Sequence, residues 1–524
     1  MANVEIDERR LDAILGPLNQ CQRPGAAIGI ALDGRSVFRK GVGLAAIDAP
    51  IVITPSTKMR IYSVTKHFAC LCYLMICGRG RASLDDPIGK YLPEVHPVSN
   101  GVTMRQLMSH TSGIVDVKDV HWNLGSMNQI VSSAEVVKRY ETLDKLNFSA
   151  GSAWCYNNGG YQLLSAAIER ILDAPLERIF REWLFEPLGM RDTLVVRQDT
   201  GFVPNCATMH MCAPGGEYVR TYLPGELSGD AGCVSTVDDM LRWMEGEDQL
   251  PGAPGAWRVM SKPQQLENGA STGYGLGLVS NAYRGIEFYG HAGNGLGATA
   301  QMIRVPSLLL DIVVLVNRED VNAWDLGAKI LNACVTGLQE KVGRGEGVVT
   351  CGKYYSSGSG RLVELDEEDG EQVVAINGRV GAKFRRDDRG VLRPHSELVT
   401  NELIRILDGN GTPPGIWFEY WGSAEELAAL QTKRHSEGRK VSGTYRSEVF
   451  DTEMSVQVDA DKGLLEADGP FGSVTHELKL LGNNLWRFKP MLRTLPWGGI
   501  LEFDEEAHAM YVTTECTRRL QFSR

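Results

Sequence analysis

Three short clusters of residues carry the chemistry open to this chain: Ser63-Val64-Thr65-Lys66, then Tyr156-Asn157-Asn158, then His291-Ala292-Gly293. A serine hydroxyl is a poor nucleophile at neutral pH. It needs a base within hydrogen-bond reach and donors aimed at the oxyanion its attack creates. Residues three apart on a helix share one face, so Lys66 can bring an amine over the Ser63 hydroxyl. A lone Ser-x-x-Lys arises about once by chance in a chain of this length and then marks only an exposed helical turn. The ordered succession Ser-x-x-Lys, Tyr-x-Asn, His-x-Gly reads instead as a serine acyl-transfer site.

Each residue type suits one part of that reaction. Ser63 would attack a carbonyl and form an acyl-enzyme. Lys66, kept partly neutral by burial and neighbouring cations, is one candidate base. Tyr156 is the other, if positive neighbours such as Lys66 favour its phenolate or let it relay a proton. The residues alone leave that choice open. The Asn158 amide is both donor and acceptor and could hold a substrate carbonyl and the Lys66 amine at once, and either Asn157 or Asn158 could cap the helix that follows. His291 stands among Gly290, Gly293, Gly295 and Gly297, and a glycine-rich strand permits close backbone approach to a ligand. The backbone N–H groups of Ser63 and Asn294 are the expected oxyanion donors, with His291 orienting the leaving group or a substrate carboxylate.

The elements that position these residues have to come from a chain of 524 residues, more than one hydrophobic core usually organises. Its apolar fraction of 43% and charged fraction of 23% are those of a folded globular protein. A net charge of −11 argues against a nucleic-acid footprint and against attraction to an anionic membrane. A small peptide, amide or ester substrate fits better. The first ten residues lack a basic stretch followed by an apolar one, and no window approaches the ~20 apolar residues of a membrane span. Eleven scattered cysteines imply a reduced, cytoplasmic setting. Cys155 beside Tyr156 is either a reactive thiol or a small packed residue. With no His-Glu-x-x-His, no Cys-x-x-Cys and no Gly-x-x-x-x-Gly-Lys loop, neither a metal nor a cofactor is expected.

Periodicity predicts an α+β chain. Ile6 to Leu18 reads as a helix, and Ala26 to Gly43 as two strands joined at Asp33-Gly34. The helix carrying Ser63 continues through an almost uniformly apolar run, Phe68 to Cys77, which suggests burial on all sides. Helices fill roughly residues 132–195. Strands return at Tyr274 to Val279, Ile286 to Tyr289, Thr299 to Val305 and Leu308 to Val316, and a helix from Ala323 to Leu338 ends the segment. This pattern predicts an antiparallel sheet backed by helices, a catalytic domain over 1–338. Beyond a polar linker, Lys341 to Gly347, turn signals at Asp369-Gly370, Asn377-Gly378 and Asp408-Gly409-Asn410-Gly411 separate short strands. Two similar small antiparallel β-barrel domains are expected over 348–435 and 440–524, joined by a polar helical stretch from Ala424 to Lys440.

The three motifs, with Leu107-Met108-Ser109-His110-Thr111-Ser112-Gly113, Glu186-Pro187-Leu188-Gly189-Met190 and Gly232-Cys233-Val234-Ser235-Thr236, resemble those of the penicillin-recognising serine enzymes: class C β-lactamases, DD-carboxypeptidases and their esterase and peptidase relatives. The resemblance covers about residues 10–338. It implies an α/β sandwich with the site between an all-helical region and the sheet, with His110 structural rather than catalytic and β-lactams as possible inhibitors. The added β domains, and His291 where the group usually has a lysine, imply a D-stereospecific aminopeptidase or amidase. Such an enzyme would be a cytoplasmic homodimer releasing N-terminal D-residues such as D-alanine. The resemblance also implies that a loop of the last domain shapes specificity, partly through an aspartate.

The corresponding segment here, Pro490 to Gly499, contains no acid. Pro496 falls near the expected aspartate position, Arg493 is the only charge and Trp497 makes the loop apolar. A buried cationic amine is costly unless an anion or several acceptors meet it, so an N-blocked amide, an ester or a carboxylate-bearing substrate competes. The alternatives are an esterase or DD-carboxypeptidase-like hydrolase with the same chemistry and, in another class, a non-catalytic binding or regulatory protein.

Overall fold

The first pairing is set by a two-residue turn. Strands β1 (Ala26–Leu32) and β2 (Arg35–Val42) are joined by Asp33 and Gly34 at φ of 51° and 71°, the pair of left-handed residues that a type I′ hairpin requires. The computed structural model describes all residues except 1, 127–128, 214, 247–249, 251, 253, 340–350, 380, 397, 400, 408–414, 431–440, 483, 492–496 and 505.

Four later strands complete the sheet: β3 (Val279–Tyr283), β4 (Ile286–Gly295), β5 (Ala298–Val305) and β6 (Leu310–Val316). All pairs are antiparallel, in the order β3-β4-β5-β6-β1-β2. The strand expected from Tyr274 begins only at Val279. Gly277 turns the backbone at φ 74° and the Gly275 N–H donates to the Leu278 carbonyl, so Tyr274 to Leu278 is a loop. The central strand β6 is buried along its whole length. Its alternate residues face opposite layers, as the pleat dictates. Ile312, Val314 and Val316 pack with Leu11, Leu15, Ile330 and Leu331 of the terminal helices α1 (Glu8–Leu15) and α6 (Ala323–Cys334). Val313 and Leu315 join the core on the other side, with Phe68 of α2 (Lys66–Gly78) and Val237 and Leu241 of α5 (Val237–Glu245). α6 stops at Cys334, short of the expected Leu338, because Val335 and Thr336 pair as a strand with Val4 and Asn3.

The helical layer holds α2, α3 (Val117–Leu124) and α4 (Asn158–Leu172). Within the stretch expected to be helical, Ser133–Arg139, Asn158–Leu172 and Leu176–Phe185 are so, while the segment between Tyr140 and Asn157 is extended and irregular. Its backbone is held by partners elsewhere in the chain.

Those partners are the loop 110–114, whose Gly113, Thr111 and His110 carbonyls accept from the N–H groups of Asn147, Gly151 and Cys155, and the two barrels. Gly352–Ala429 contains eight antiparallel strands closed by pairing Gly352–Tyr355 with Ser423–Ala429, and Gly443–Ser523 contains eight more, closed by Gly443–Ser447 against Leu520–Ser523. The expected helix from Ala424 is therefore a strand as far as Ala429. Ala-Glu-Glu-Leu-Ala-Ala favours helix locally, but pairing on both edges closes the barrel and overrides that preference. The rest of that stretch, from 431 to 440, and the linker Lys341 to Gly347 lie outside the described residues.

Both barrels grip the segment that leads into Tyr156. From the first, Trp421 stacks on Trp154 with ring centroids 4.5 Å apart, and Ser423 Oγ accepts the Trp154 N–H at 3.0 Å. From the second, the Cys516 carbonyl accepts from the Asn147 amide at 2.9 Å and the Arg518 N–H donates back to Asn147 Oδ1 at 2.8 Å. The Thr514 and Thr517 hydroxyls bond Asp119 on α3. Trp421→Ala should remove about 3 kcal/mol or more of packing and expose the backbone amides of 153–156 to faster hydrogen exchange. Unchanged protection at those amides would contradict this docking role.

Candidate active site

Ser63 lies not inside α2 but in the 3₁₀ turn Tyr62–Thr65 that runs into it. The residue before it, Tyr62, is fully buried at φ 43°, a conformation that costs a non-glycine residue about 1–3 kcal/mol. Packing holds it there. The Tyr62 ring lies against Gly295 of β4, where a Cβ would sit 2.2 Å from the ring, and its hydroxyl donates to Met209 Sδ at 2.6 Å. The turn thus presents a half-buried Ser63 hydroxyl at the start of a rigid, buried helix.

One turn on, Lys66 is completely buried. Its Nζ stands 3.2 Å from Ser63 Oγ, 2.8 Å from Asn158 Oδ1 and 2.8 Å from the Asp230 carbonyl oxygen. The Tyr156 and Tyr161 rings lie 4.6 and 5.1 Å from it. Burial brings Lys66 down to about 7, against the upward pull of the Asp230 and Asp116 carboxylates and with help from Lys118. Near neutrality a large share of it is therefore an amine with a free lone pair beside the serine.

Burial pushes the Tyr156 phenol well above its ordinary range, against the smaller downward pull of the neighbouring Ser63 hydroxyl. Tyr156 keeps its proton at neutral pH and can donate one. Its position is set by the helix it precedes. Asn157 is the N-cap of α4, its Oδ1 accepting the Gly160 N–H at 2.7 Å, which leaves Asn158 free to point its amide at Lys66. Asp116 adds a buried carboxylate that accepts the Asn158 and Gly159 N–H groups at 2.7 and 2.9 Å while capping α3. His110 packs under Tyr156 and its Nδ1 accepts the Asn157 N–H at 3.1 Å, a structural part.

His291 comes from β4 and lies beside the same cluster, its ring 6.2 Å from that of Tyr156. Its Nε2 is 2.9 Å from the Tyr274 hydroxyl and its Nδ1 is 2.5 Å from the Ala292 carbonyl oxygen. Burial and Lys66 bring it down to about 3, so it is a neutral imidazole rather than a cation for a substrate carboxylate. β3 pairs with β4 only as far as Gly290, so on that side the edge from His291 to Gly295 faces the serine turn. A Cβ on Gly293 would sit 2.0 Å from the Ile61 carbonyl oxygen. The close approach that the glycines predict is made to the segment bearing Ser63. Asn294 stands on this edge, paired with Thr299 of β5.

Of the expected specificity loop, Arg493 and Pro496 lie outside the described residues. Trp497 packs in an apolar cluster with Tyr62, Leu223, Leu227 and Leu296, and lies parallel to Trp122 of α3 at 6.5 Å. The Gly498 N–H donates to Asn123 Oδ1 at 2.8 Å. The second barrel therefore reaches Tyr62, the neighbour of Ser63. Sequence reasoning passed over Asp116, Lys118, Asp230 and Tyr274. Asp116 carried a signal as an acid just ahead of apolar residues at helical spacing, Val117, Val120 and Leu124, the mark of an N-cap; the other three carried none.

The family model described as Beta-lactamase matches residues 9–334, well over half of the chain. The chain belongs to the beta-lactamase family. Among curated members, a D-aminopeptidase of Brucella melitensis biotype 1 is 27% identical over 535 aligned positions, covering 98% of this chain and 97% of the relative. A D-aminopeptidase of Brucella anthropi is 27% identical, with 69% and 68% covered. Among solved structures, the octameric penicillin-binding protein homologue from Pyrococcus abyssi superposes with a TM-score of 0.55 at 18% identity, covering 99% and 100% of the two chains. SurE does so with a TM-score of 0.54 at 20% identity, over 81% and 99%. At those identities the structural likeness speaks for the fold alone.

A beta-lactamase-family site built this tightly should not tolerate a methyl group at its strand edge. Gly293→Ala should lower kcat about a hundredfold, the cost of displacing a reacting group by about 1 Å. Gly101→Ala, where a Cβ meets open space, should change nothing. Equal turnover in the two variants would contradict the packing described.

Proposed function

We propose that this protein is a serine hydrolase that acts as a D-stereospecific aminopeptidase or amidase, releasing N-terminal D-residues through an acyl-Ser63 intermediate. The observation that carries it is Lys66 Nζ, buried and 3.2 Å from Ser63 Oγ. The D-stereospecific part rests on the D-aminopeptidase of Brucella melitensis, to which this chain is similar across both barrels as well as the catalytic region.

In this reading Ser63 Oγ attacks the amide carbonyl carbon and its proton passes to Lys66. The backbone N–H groups of Ser63 and Asn294 receive the oxyanion, and the Asn158 Nδ2 group, left free by the bond from Oδ1 to Lys66, orients the carbonyl. Collapse of the tetrahedral intermediate breaks the C–N bond. The leaving amine takes a proton from Tyr156, which recovers it from Lys66. Water then attacks the ester, returning the proton to Ser63 and releasing the acid. His291, held by Tyr274, serves as a neutral hydrogen-bonding wall.

That neutrality weighs against a DD-carboxypeptidase-like reaction, whose substrate ends in a carboxylate needing a cation. The apolar Trp497, packed against Tyr62 next to Ser63, favours an esterase as the second reading. A homodimer in a reduced, cytoplasmic setting belongs to the same proposal, in keeping with eleven unpaired cysteines. Among the described residues no helix is long and apolar enough to cross a membrane.

A panel of D-alanine amide, L-alanine amide, N-acetyl-D-alanine amide and a short-chain ester tests the reading. The D-amide should be cleaved at least about tenfold faster than its L isomer, and Ser63→Ala should lose about 10³-fold or more. Equal D and L rates would remove the stereospecific part, and preference for the ester would select the second reading. Undiminished hydrolysis in Ser63→Ala would end both.

A further inference from the structure

Behind Lys66 lies a second lysine that the reaction does not touch. Lys118 of α3 is 1% exposed, almost as deeply buried as Lys66. Its Nζ stands 3.3 Å from Asp230 Oδ2 and donates to the Glu226 carbonyl at 2.7 Å. Asp230 is itself fully buried. Its other oxygen, Oδ1, accepts the Gln162 amide at 2.8 Å and the Ser228 N–H at 2.7 Å. Its carbonyl is the one that accepts from Lys66 Nζ at 2.8 Å. Lys118 therefore braces both ends of the 226–230 turn that touches Lys66, and supplies the cation paired with its carboxylate.

The groups facing Lys66 show why that pairing matters. His67 and Cys70 come from its own helix, Tyr156, Asn158 and Tyr161 from the α4 region, and His110 and His291 from elements around them. Burial keeps these histidines uncharged. The charged groups are two carboxylates, Asp116 and Asp230, and Lys118. Asp116 spends its oxygens on backbone N–H groups of α3 and α4. Asp230 has Lys118. Removing one partner of a buried ion pair leaves the other charge uncompensated. Here the uncompensated charge would be an anion next to the catalytic lysine, holding it as an ammonium.

We propose that Lys118 is a positioning residue: by pairing with Asp230 it allows the buried Lys66 to stand as a neutral amine, the form that can take the Ser63 proton. The inference rests on the acyl-Ser63 reading, and its test uses a probe that needs no assumption about the natural substrate. A fluorophosphonate phosphonylates the nucleophile: Ser63 Oγ bonds to phosphorus, the P–F bond breaks, fluoride leaves with the electron pair, and the hydroxyl proton passes to Lys66.

Because the neutral amine is the active form, the labelling rate of the wild-type chain should rise with pH through a midpoint near the value of about 7 given for Lys66. In Lys118→Met the midpoint should move up by a unit or more, lowering the rate at pH 7 about tenfold and restoring it in alkali. In Asp230→Asn, which keeps the cation and loses the anion, the midpoint should move down. The double variant, which removes both charges, should fall between the singles. An unmoved midpoint in Lys118→Met, with or without a lower plateau, would overturn the proposal. If that variant does not fold, equal midpoints in Asp230→Asn and the double variant would overturn it. A wild-type chain that takes no label at Ser63 would instead remove the nucleophile assignment.

Discussion

The burial of one ammonium group is the constraint on which this structure depends. Lys66 has to be out of water to become an amine near neutrality, and a lone lysine taken out of water is costly. The molecule meets that cost with acceptors rather than with a contact ion pair: Asn158 Oδ1 and the Asp230 carbonyl each lie 2.8 Å from Nζ. Two carboxylates stand farther back, one satisfied by helix termini and one by Lys118. Such an arrangement keeps the proton loosely held, as general-base catalysis requires.

Much of the fold follows from supplying those acceptors. α2 must be buried all round to carry Lys66, so it is enclosed by helices on one side and the sheet on the other. α4 must begin at Asn158, which Asn157 and Asp116 secure by capping. The segment before α4 has no regular structure of its own and is fixed from outside, by the carbonyls of the 110–114 loop, by Trp421 and Ser423 of one barrel and by Cys516 and Arg518 of the other. The first barrel thus shares in positioning Tyr156 through Trp154 and the second through Asn147, and the second also reaches Tyr62 through Trp497.

What could be read beforehand and what could not divide along physical lines. Ser63, Lys66, Tyr156, Asn158 and His291 were legible because each sits in a short motif whose spacing reflects local geometry, and the β1-β2 turn because Asp-Gly is a local signal. Lys118 and Asp230 were not, since they meet only through the packing of α3 against a loop more than a hundred residues later. Tyr274, which fixes His291, was mistaken for the start of a strand. Ala424 to Ala429 was misread as helix because its composition favours helix, while the deciding term, closure of a barrel edge against Gly352–Tyr355, is non-local. The neutrality of His291 was equally hidden, for it arises from complete burial beside Lys66.

The ionisation of Lys66 can be observed without any substrate. A protein carrying ¹³Cε-labelled lysine, with Lys66→Arg identifying the signal, can be titrated by NMR. The account predicts that the Lys66 resonance shifts with a midpoint near 7, well below the ordinary 10.5. A resonance that stays in the ammonium position up to pH 10 would contradict it.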